Sequence, residues 1–395
     1  MSGLLSNIYN NISYALAHQT DALFKLQEQS STGSRINRAS DDPTGAYQVL
    51  SFNSEASGLK NYISTIDEMS GTLENTSTLL QQTASVITQA KVSVTQVTSD
   101  IYDDASRARM ADTINNYLEQ LVQIANTKYN GQYLFGGSST STQPYTVERK
   151  DGKITAITYQ GSSETRDVSI APGVSSSEVY VGQELFSSNS PQAPVFSGNT
   201  GAKAGTGTSN VTGDVWLTVT NDGTGYSLSI DGGITSVPVP DGGSDNLAVT
   251  DSRTGKVLYV DTTGINKTGT ELVRVPGTYD IFNTLISLRD MLENDKNLPE
   301  DQLNQYRNEA ANSLDEVEGL LVGKESLVGA KIGYLDDVKK SLDSIKSNNE
   351  DNADQLQQAD ITQISIGLSR YSALYQMSLT VASKLMSMSL LNYLD

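Results

Sequence analysis

The chain has 395 residues, with 27 lysines and arginines against 46 aspartates and glutamates, for a formal charge of −19. That balance argues against a nucleic-acid partner or an anionic membrane surface, which bind through cationic side chains. It has no cysteine and one histidine, His18, so a disulfide framework, a thiolate nucleophile and a cysteine-ligated zinc are excluded, and a histidine metal site or triad within one chain nearly so.

No cofactor and no metal site are expected. The opening MSGLLSNIYNN has no basic start and no long apolar core, so it does not read as a secretory signal peptide. No apolar run approaches the roughly eighteen residues of a membrane helix, so no membrane insertion is expected.

Residues 4–29 carry apolar positions at alternating steps of three and four: Leu5, Ile8, Ile12, Ala15, Gln19, Ala22, Leu26. Leu16 and Leu23 widen that face. The spacing predicts a helix with a broad apolar side. A polar joint follows at 30–45, SSTGSRINRASDDPTG, punctuated by Gly33 and Gly45. Asp42 before Pro43 reads as a helix cap and first helical residue. The adjacent carboxylates Asp41 and Asp42 suit a cap and its neighbour better than acid–base chemistry.

The longest signal runs from Val49 to Ile101: Val49, Phe52, Ala56, Leu59, Ile63, Ile66, then Leu73, Leu80, Ala84, Ile87, Val94 and Ile101. Ser70, Ser77, Lys91 and Thr98 dilute the repeat without shifting it. An unbroken seven-residue repeat predicts one long helix with a narrow seam, roughly 80 Å long at about 1.5 Å per residue. A shorter stripe, Met110, Ile114, Tyr117, Leu121 and Ile124, predicts a third helix.

Asn130-Gly131 reads as a helix stop, and Gln132 to Phe135 as a short strand closed by Gly136-Gly137. Tyr145–Val147 and Ile154–Tyr159 flank Asp151-Gly152, a hairpin signal. Thr165–Ile170 reads as a further strand. The composition then shifts: residues 172–278 hold 17 of the 32 glycines and 6 of the 9 prolines. Alternation replaces the heptad in Val215–Val219 and Tyr226–Ile230, and further runs at 247–249, 256–260 and 271–275 predict an all-β insert. Trp216 points to the face opposite Val215 and Leu217 and reads as a packed residue. The insert is expected to be a separate cooperative unit. Asp241 to Asp245 lacks the spaced acids of a calcium loop and reads as a turn.

Helical spacing resumes at Ile281, Leu285, Leu288 and Leu292. Pro299-Glu300 suits a helix start. The seam returns at Leu303, Ala310, Leu314, Val317, Leu321, Lys324, Val328, Lys331, Leu335, Val338, Leu342 and Ile345. The polar run 347–354, SNNEDNAD, reads as a second joint. The last helix carries one stripe of Ile364, Leu368, Tyr371, Tyr375, Leu379, Ala382 and Met386, and a second of Leu374, Met377, Val381, Leu385 and Met388.

The predicted fold is mainly α with an all-β insert. An elongated coiled-coil or helical bundle forms from the N- and C-terminal segments, and a β-rich outer domain occupies the middle. Three divisions are expected: 1–45 with 347–395 as a terminal coiled coil, 46–171 with 279–346 as a rod-like bundle with a β-hairpin, and 172–278 as the β-rich domain. The bundle seam is assigned to Leu59, Ile63, Ile66, Leu80, Leu314, Leu321, Leu335 and Leu342. The terminal helices are too apolar to stand alone in water. Leu5, Ile8, Ile12, Leu26, Ile364, Leu368, Tyr371, Tyr375, Leu385 and Met388 are therefore expected to serve the terminal coiled coil and contacts between subunits.

The stretch SSTGSRINRASDDPTGAYQVL, with the heptad after it, resembles the N-terminal region of the bacterial flagellin superfamily. ANTKYNGQYLFGG at 125–137 is more similar to the hook–filament junction branch than to flagellin proper. YQGSSETRDVSIAPG at 159–173, VGAKIGYLDD at 328–337 and the ending SLLNYLD point the same way. The resemblance covers about 1–185 and 279–395 and leaves the insert aside.

It implies a structural flagellar subunit, not an enzyme, exported by the flagellar type III apparatus without a cleavable signal peptide and polymerised outside the cell through its terminal helices. Implied partners are further copies of itself, hook-associated protein 1, flagellin, and a cytoplasmic export chaperone on the C-terminal helix. Filament flagellin is the alternative of the same class. A secreted enzyme on this scaffold, a carboxylate glycosidase in the β insert, is the alternative of another class.

Overall fold

The computed structural model describes residues 2–97, 104–177, 179–294, 296 and 298–394, without the side chains of 2–6, 96, 97 and 387–394. Thr98 and Ile101 of the expected seam, and the side chains of Leu5 and Met388, lie outside the described residues. The fold is mainly α with a β-rich middle. The chain divides into two compact units, Met1–Thr65 with Asp337–Asp395, and Ile66–Asp336.

The first unit holds α1 (Ser2–Thr32), the start of α2 (Pro43–Val97), the end of α6 (Glu300–Gln357) and α7 (Ile361–Leu394). Helices α1 and α7 pair antiparallel. Gln19 Nε2 donates to Ser378 Oγ at 3.1 Å. Leu26 lies so close to Gly367 that a Cβ there would stand 3.0 Å from Leu26 Cδ1. Gly33, at φ +69°, ends α1 in the left-handed conformation that glycine adopts freely.

The expected joint at 347–354 is not there: α6 runs through it to Gln357. Asn349 and Ala353 are buried, so packing overrides the weak helix preference of the asparagines. The break falls at 358–360, where Asp360 Oδ1 caps α7 by accepting from the Thr362 and Gln363 amides at 2.9 and 3.1 Å.

In the second unit α2 and α6 run antiparallel. Gln81 Nε2 donates to Glu325 Oε1 at 2.6 Å, and Lys91 Nζ reaches Glu318 Oε2 at 3.1 Å and pairs with Asp315. The seven-residue ladder of Ile66, Leu73, Leu80, Ile87 and Val94 is fully buried, as are Ile114, Leu118 and Leu121 of α3 (Asp104–Ala125). A strict heptad keeps the same face inward at every second turn, which places this core.

Helix α3 stops at Ala125, before the expected glycine stop. Asn130 and Gly131, at φ 49° and 79°, instead form the two-residue turn between β1 (Lys128–Tyr129) and β2 (Gln132–Tyr133). Both central residues take positive φ, which Asn-Gly supplies. The Asp151-Gly152 turn joins β3 (Tyr145–Lys150) to β4 (Lys153–Tyr159) as expected. β5 (Asp167–Ala171) pairs with β6 (Val174–Ser177), and a short helix, α4 (Gly182–Phe186), follows.

The insert contributes β7 (Val195–Ser197), β8 (Lys203–Ala204), β9 (Gly213–Asn221), β10 (Tyr226–Ser229), β11 (Val237–Pro238), β12 (Leu247–Thr250), β13 (Val257–Asp261) and β14 (Gly269–Val275). They form one five-stranded sheet, β11-β10-β9-β14-β7, and one three-stranded sheet, β12-β13-β8. Leu217, Val219, Leu228, Leu258, Val260 and Val273 make its core. Asp231 is buried, its carboxylate accepting from Ser229, Thr235 and Ser252, and the Thr235 hydroxyl bond foremost holds it far below the usual carboxylate range.

The insert is not packed by itself alone. Trp216 meets Tyr306 of α6 edge-on at 5.6 Å between ring centroids, with the Lys296 ammonium 5.3 Å from its own centroid. The Tyr306 hydroxyl donates to the Ser197 carbonyl at 2.7 Å and accepts from the Leu272 amide at 3.2 Å. The insert, expected to be a separate cooperative unit, thus has its own core but also packs and hydrogen-bonds against α6. Helix α5 (Ile281–Glu293), capped by Asp280, packs on α3, and Arg289 donates to Asn115 Oδ1 at 3.0 Å and to the Ile154 carbonyl at 2.5 Å.

Candidate functional site

The candidate site is a surface rather than a pocket: the helix pair α1–α7 and the loop that joins α1 to α2. In that loop the Arg35 amide donates to the Gln357 carbonyl at 2.6 Å, and the Ala359 amide to the Gly33 carbonyl at 3.0 Å. The Arg35 guanidinium donates to the Leu356 carbonyl at 3.2 Å and pairs with Asp42 at 3.0 Å. These contacts clasp the end of α1 to the α6–α7 break.

Asp42 caps α2, accepting from the Gly45 amide at 3.0 Å; that bond first, then the Arg35 guanidinium, holds its carboxyl below the usual range. Asp41 pairs with Lys25 at 2.9 Å and accepts from the Asn37 and Arg38 amides; the Lys25 bond is the main cause of its lowered pKa. Both acids are fixed in ionised, loop-building roles. Sequence spacing did not point to Arg35, whose role depends on residues more than 300 positions away.

Of the residues expected in the terminal coiled coil, Ile364 is buried. Ile12, Leu26, Leu368, Tyr371, Tyr375 and Leu385 are half-buried, and Ile8 is 41% exposed. Leu374, Met377 and Val381 of the second stripe on α7 are exposed, Met377 at 65%. Tyr9, Tyr14 and Phe24 of α1 are exposed as well. Two helices can cover only part of each other's circumference, so an apolar surface remains outside. Of the seam residues, Leu59 and Leu342 are buried in the first unit, and Ile66, Leu80, Leu314, Leu321 and Leu335 in the second; Ile63 is half-buried.

A cleft of about 820 Å³ opens in the second unit, between Tyr159, Lys256, Asp280, Lys324 and their neighbours. Its carboxylates are Glu184 and Asp280. Asp280 Oδ1 accepts from the Phe282 and Asn283 amides and Oδ2 from Asn283 Nδ2, so both oxygens serve the α5 cap. Burial raises its pKa. Among the described residues no group of three or more histidines, cysteines or acids could hold a metal ion, and no helix is long and apolar enough to cross a membrane.

Residues 6–140 match the family model of the bacterial flagellin N-terminal helical region. The chain is 28% identical over 165 residues to flagellar hook-associated protein 3 of Escherichia coli K12, a match spanning 42% of this chain and 50% of that protein. The chain thus matches about half the length of this curated relative. In fold it is similar to hook-associated protein 3 of Legionella pneumophila, with a TM-score of 0.54, 17% identity, and coverage of 78% of this chain and 98% of that one. A hook-associated protein of Vibrio parahaemolyticus, itself described as putative, gives a TM-score of 0.51 and 15% identity, over 80% of this chain and 100% of that one. The helical region at 6–140 is thus similar to the N-terminal region of bacterial flagellins, and the fold built around it is similar to that of solved hook-associated proteins.

Proposed function

We propose that the chain is a structural subunit of the bacterial flagellum that joins hook to filament. The observation that carries this reading is the apolar surface left by α1 and α7, on a chain whose relative and structural neighbours are named as hook-associated proteins. Exposed Met377, Val381, Tyr14 and Phe24 need cover, and neighbouring subunits in a polymer supply it. Copies of itself, hook-associated protein 1 on the hook side and flagellin on the filament side are the proposed partners. Before export, a cytoplasmic chaperone covers α7; after export through the type III apparatus, the surface is buried in the assembly.

Filament flagellin is the second reading, supported by the flagellin N-terminal region itself. The two predict different places on the cell. Immunogold labelling of intact flagella should give one narrow band where filament meets hook. Label along the whole filament would replace the junction reading with flagellin. The same narrow band with glycan hydrolysis by the purified protein would be needed before an enzyme reading gained ground.

A further inference from the structure

The five-stranded sheet meets α6 through a buried polar ring. The side chain of Asp214, on β9, is 7% exposed, and its Oδ1 accepts from the Tyr279 hydroxyl at 3.0 Å. Arg274, on β14, donates through Nε to that hydroxyl at 2.7 Å and also donates to Ser313 Oγ of α6; its Nε stands 3.7 Å from Asp214 Oδ1. α6 turns two more carboxylates toward this interior. Glu309 accepts from Ser197 Oγ at 2.6 Å through Oε1, while its Oε2 is buried without a hydrogen-bond partner. Glu316 accepts from the Gly277 amide at 2.8 Å.

Among the described residues, the remaining neighbours add no compensating cation to the ring. Glu271 on β14 is buried and bound to Thr200 at 2.8 Å, and Tyr306 is tied to Ser197 and Leu272. α5 presents Thr284, Ser287, Leu288 and Met291; its Arg289 is engaged by Asn115, Ile154 and Asp290. Lys296 is over the Trp216 ring. Arg274 thus stands against Asp214, Glu309 and Glu316.

We propose that this junction is a proton-operated latch: on mild acidification Asp214 takes one proton from solvent, the surplus negative charge of the interior falls, and the insert is held more tightly to α6. The new O–H has hydroxyl acceptors beside it, since Thr284, Ser287 and Ser313 line the small cavity that Asp214 borders. Burial first, with the Glu309 and Glu316 charges adding to it against Arg274 and Tyr279, pushes the Asp214 carboxyl up to about 6. An unfolded aspartate titrates near 3.9. The folded state therefore binds more protons between those values, and the stabilisation grows as pH falls toward 4 and is lost as pH rises through 6.

The test uses the full chain. Amide exchange of β9 and β14, corrected for intrinsic rates, should slow about tenfold between pH 7 and pH 5. A carbon NMR titration of the Asp214 carboxyl in the unaltered protein should give a midpoint near 6. In Asp214→Asn the protection should be flat across that range. A midpoint near 4, protection that stays level or falls in the unaltered chain, or an undiminished tenfold rise in the variant would each overturn the proposal. If the variant fails to fold, the carbon titration decides alone.

Discussion

Leu80→Ala is expected to lower the stability of the Ile66–Asp336 unit by about 2–5 kcal/mol, the usual range for a buried leucine truncated to alanine. Leu80 is 1% exposed and sits one heptad from Leu73 and from Ile87, both fully buried. Truncation removes three heavy atoms from a layer whose neighbours belong to long helices. Those helices cannot collapse locally without moving the layers above and below, so most of the cavity persists. Chemical denaturation with a shift in midpoint at constant slope measures the loss. Ile63→Ala should cost less than half as much, because Ile63 is only half-buried although the heptad gives both positions equal rank. Equal losses at the two positions would mean that the seam is not where burial puts it.

Met377→Asp is expected to abolish assembly while leaving the monomer's unfolding unchanged. Met377 lies on the second stripe of α7 and is 65% exposed, so a carboxylate there costs the lone chain little. In an assembly that buries the stripe, the same carboxylate becomes an unpaired buried charge at a cost of several kcal/mol, enough to remove a weak interface. Cells carrying the variant should make hooks but not full-length filaments. Leu385, on the same stripe, is half-buried within the chain, so Leu385→Asp would mix the two effects. A Met377→Asp variant that supports normal filaments would place the assembly face elsewhere on the helix pair.

The long-range order of this fold was legible because helix period is a repeated signal. Ile66, Leu73, Leu80, Ile87 and Val94 each vote for the same face, so a diluting Ser70 or Ser77 does not move the answer. The insert strands were found wherever alternation lasted four residues or more, as in β9 and β10. Two-residue strands such as β8 and β11 carry too little pattern to detect.

The failures share one cause. Residues 347–354 look like a loop because asparagine and aspartate favour turns, yet Asn349 and Ala353 are buried and the helix continues. Asn130-Gly131 signals a stop without saying whether a helix or a strand is being stopped. Strand alternation puts Trp216 on the face opposite Val215 and Leu217, but its partner Tyr306 lies 90 positions away and no local pattern names it. The clasp between Arg35 and Leu356 is hidden in the same way. The apolar stripes of the terminal helices were visible, whereas the division into a covered and an open face needed the α1–α7 pairing.

Electron microscopy of cells from which this chain alone has been deleted is the most direct measurement of the proposed role. The junction reading predicts complete hooks with no filament attached and flagellin shed into the medium, with filaments restored when the chain is supplied again. Cells that lack the chain yet carry normal filaments would contradict it.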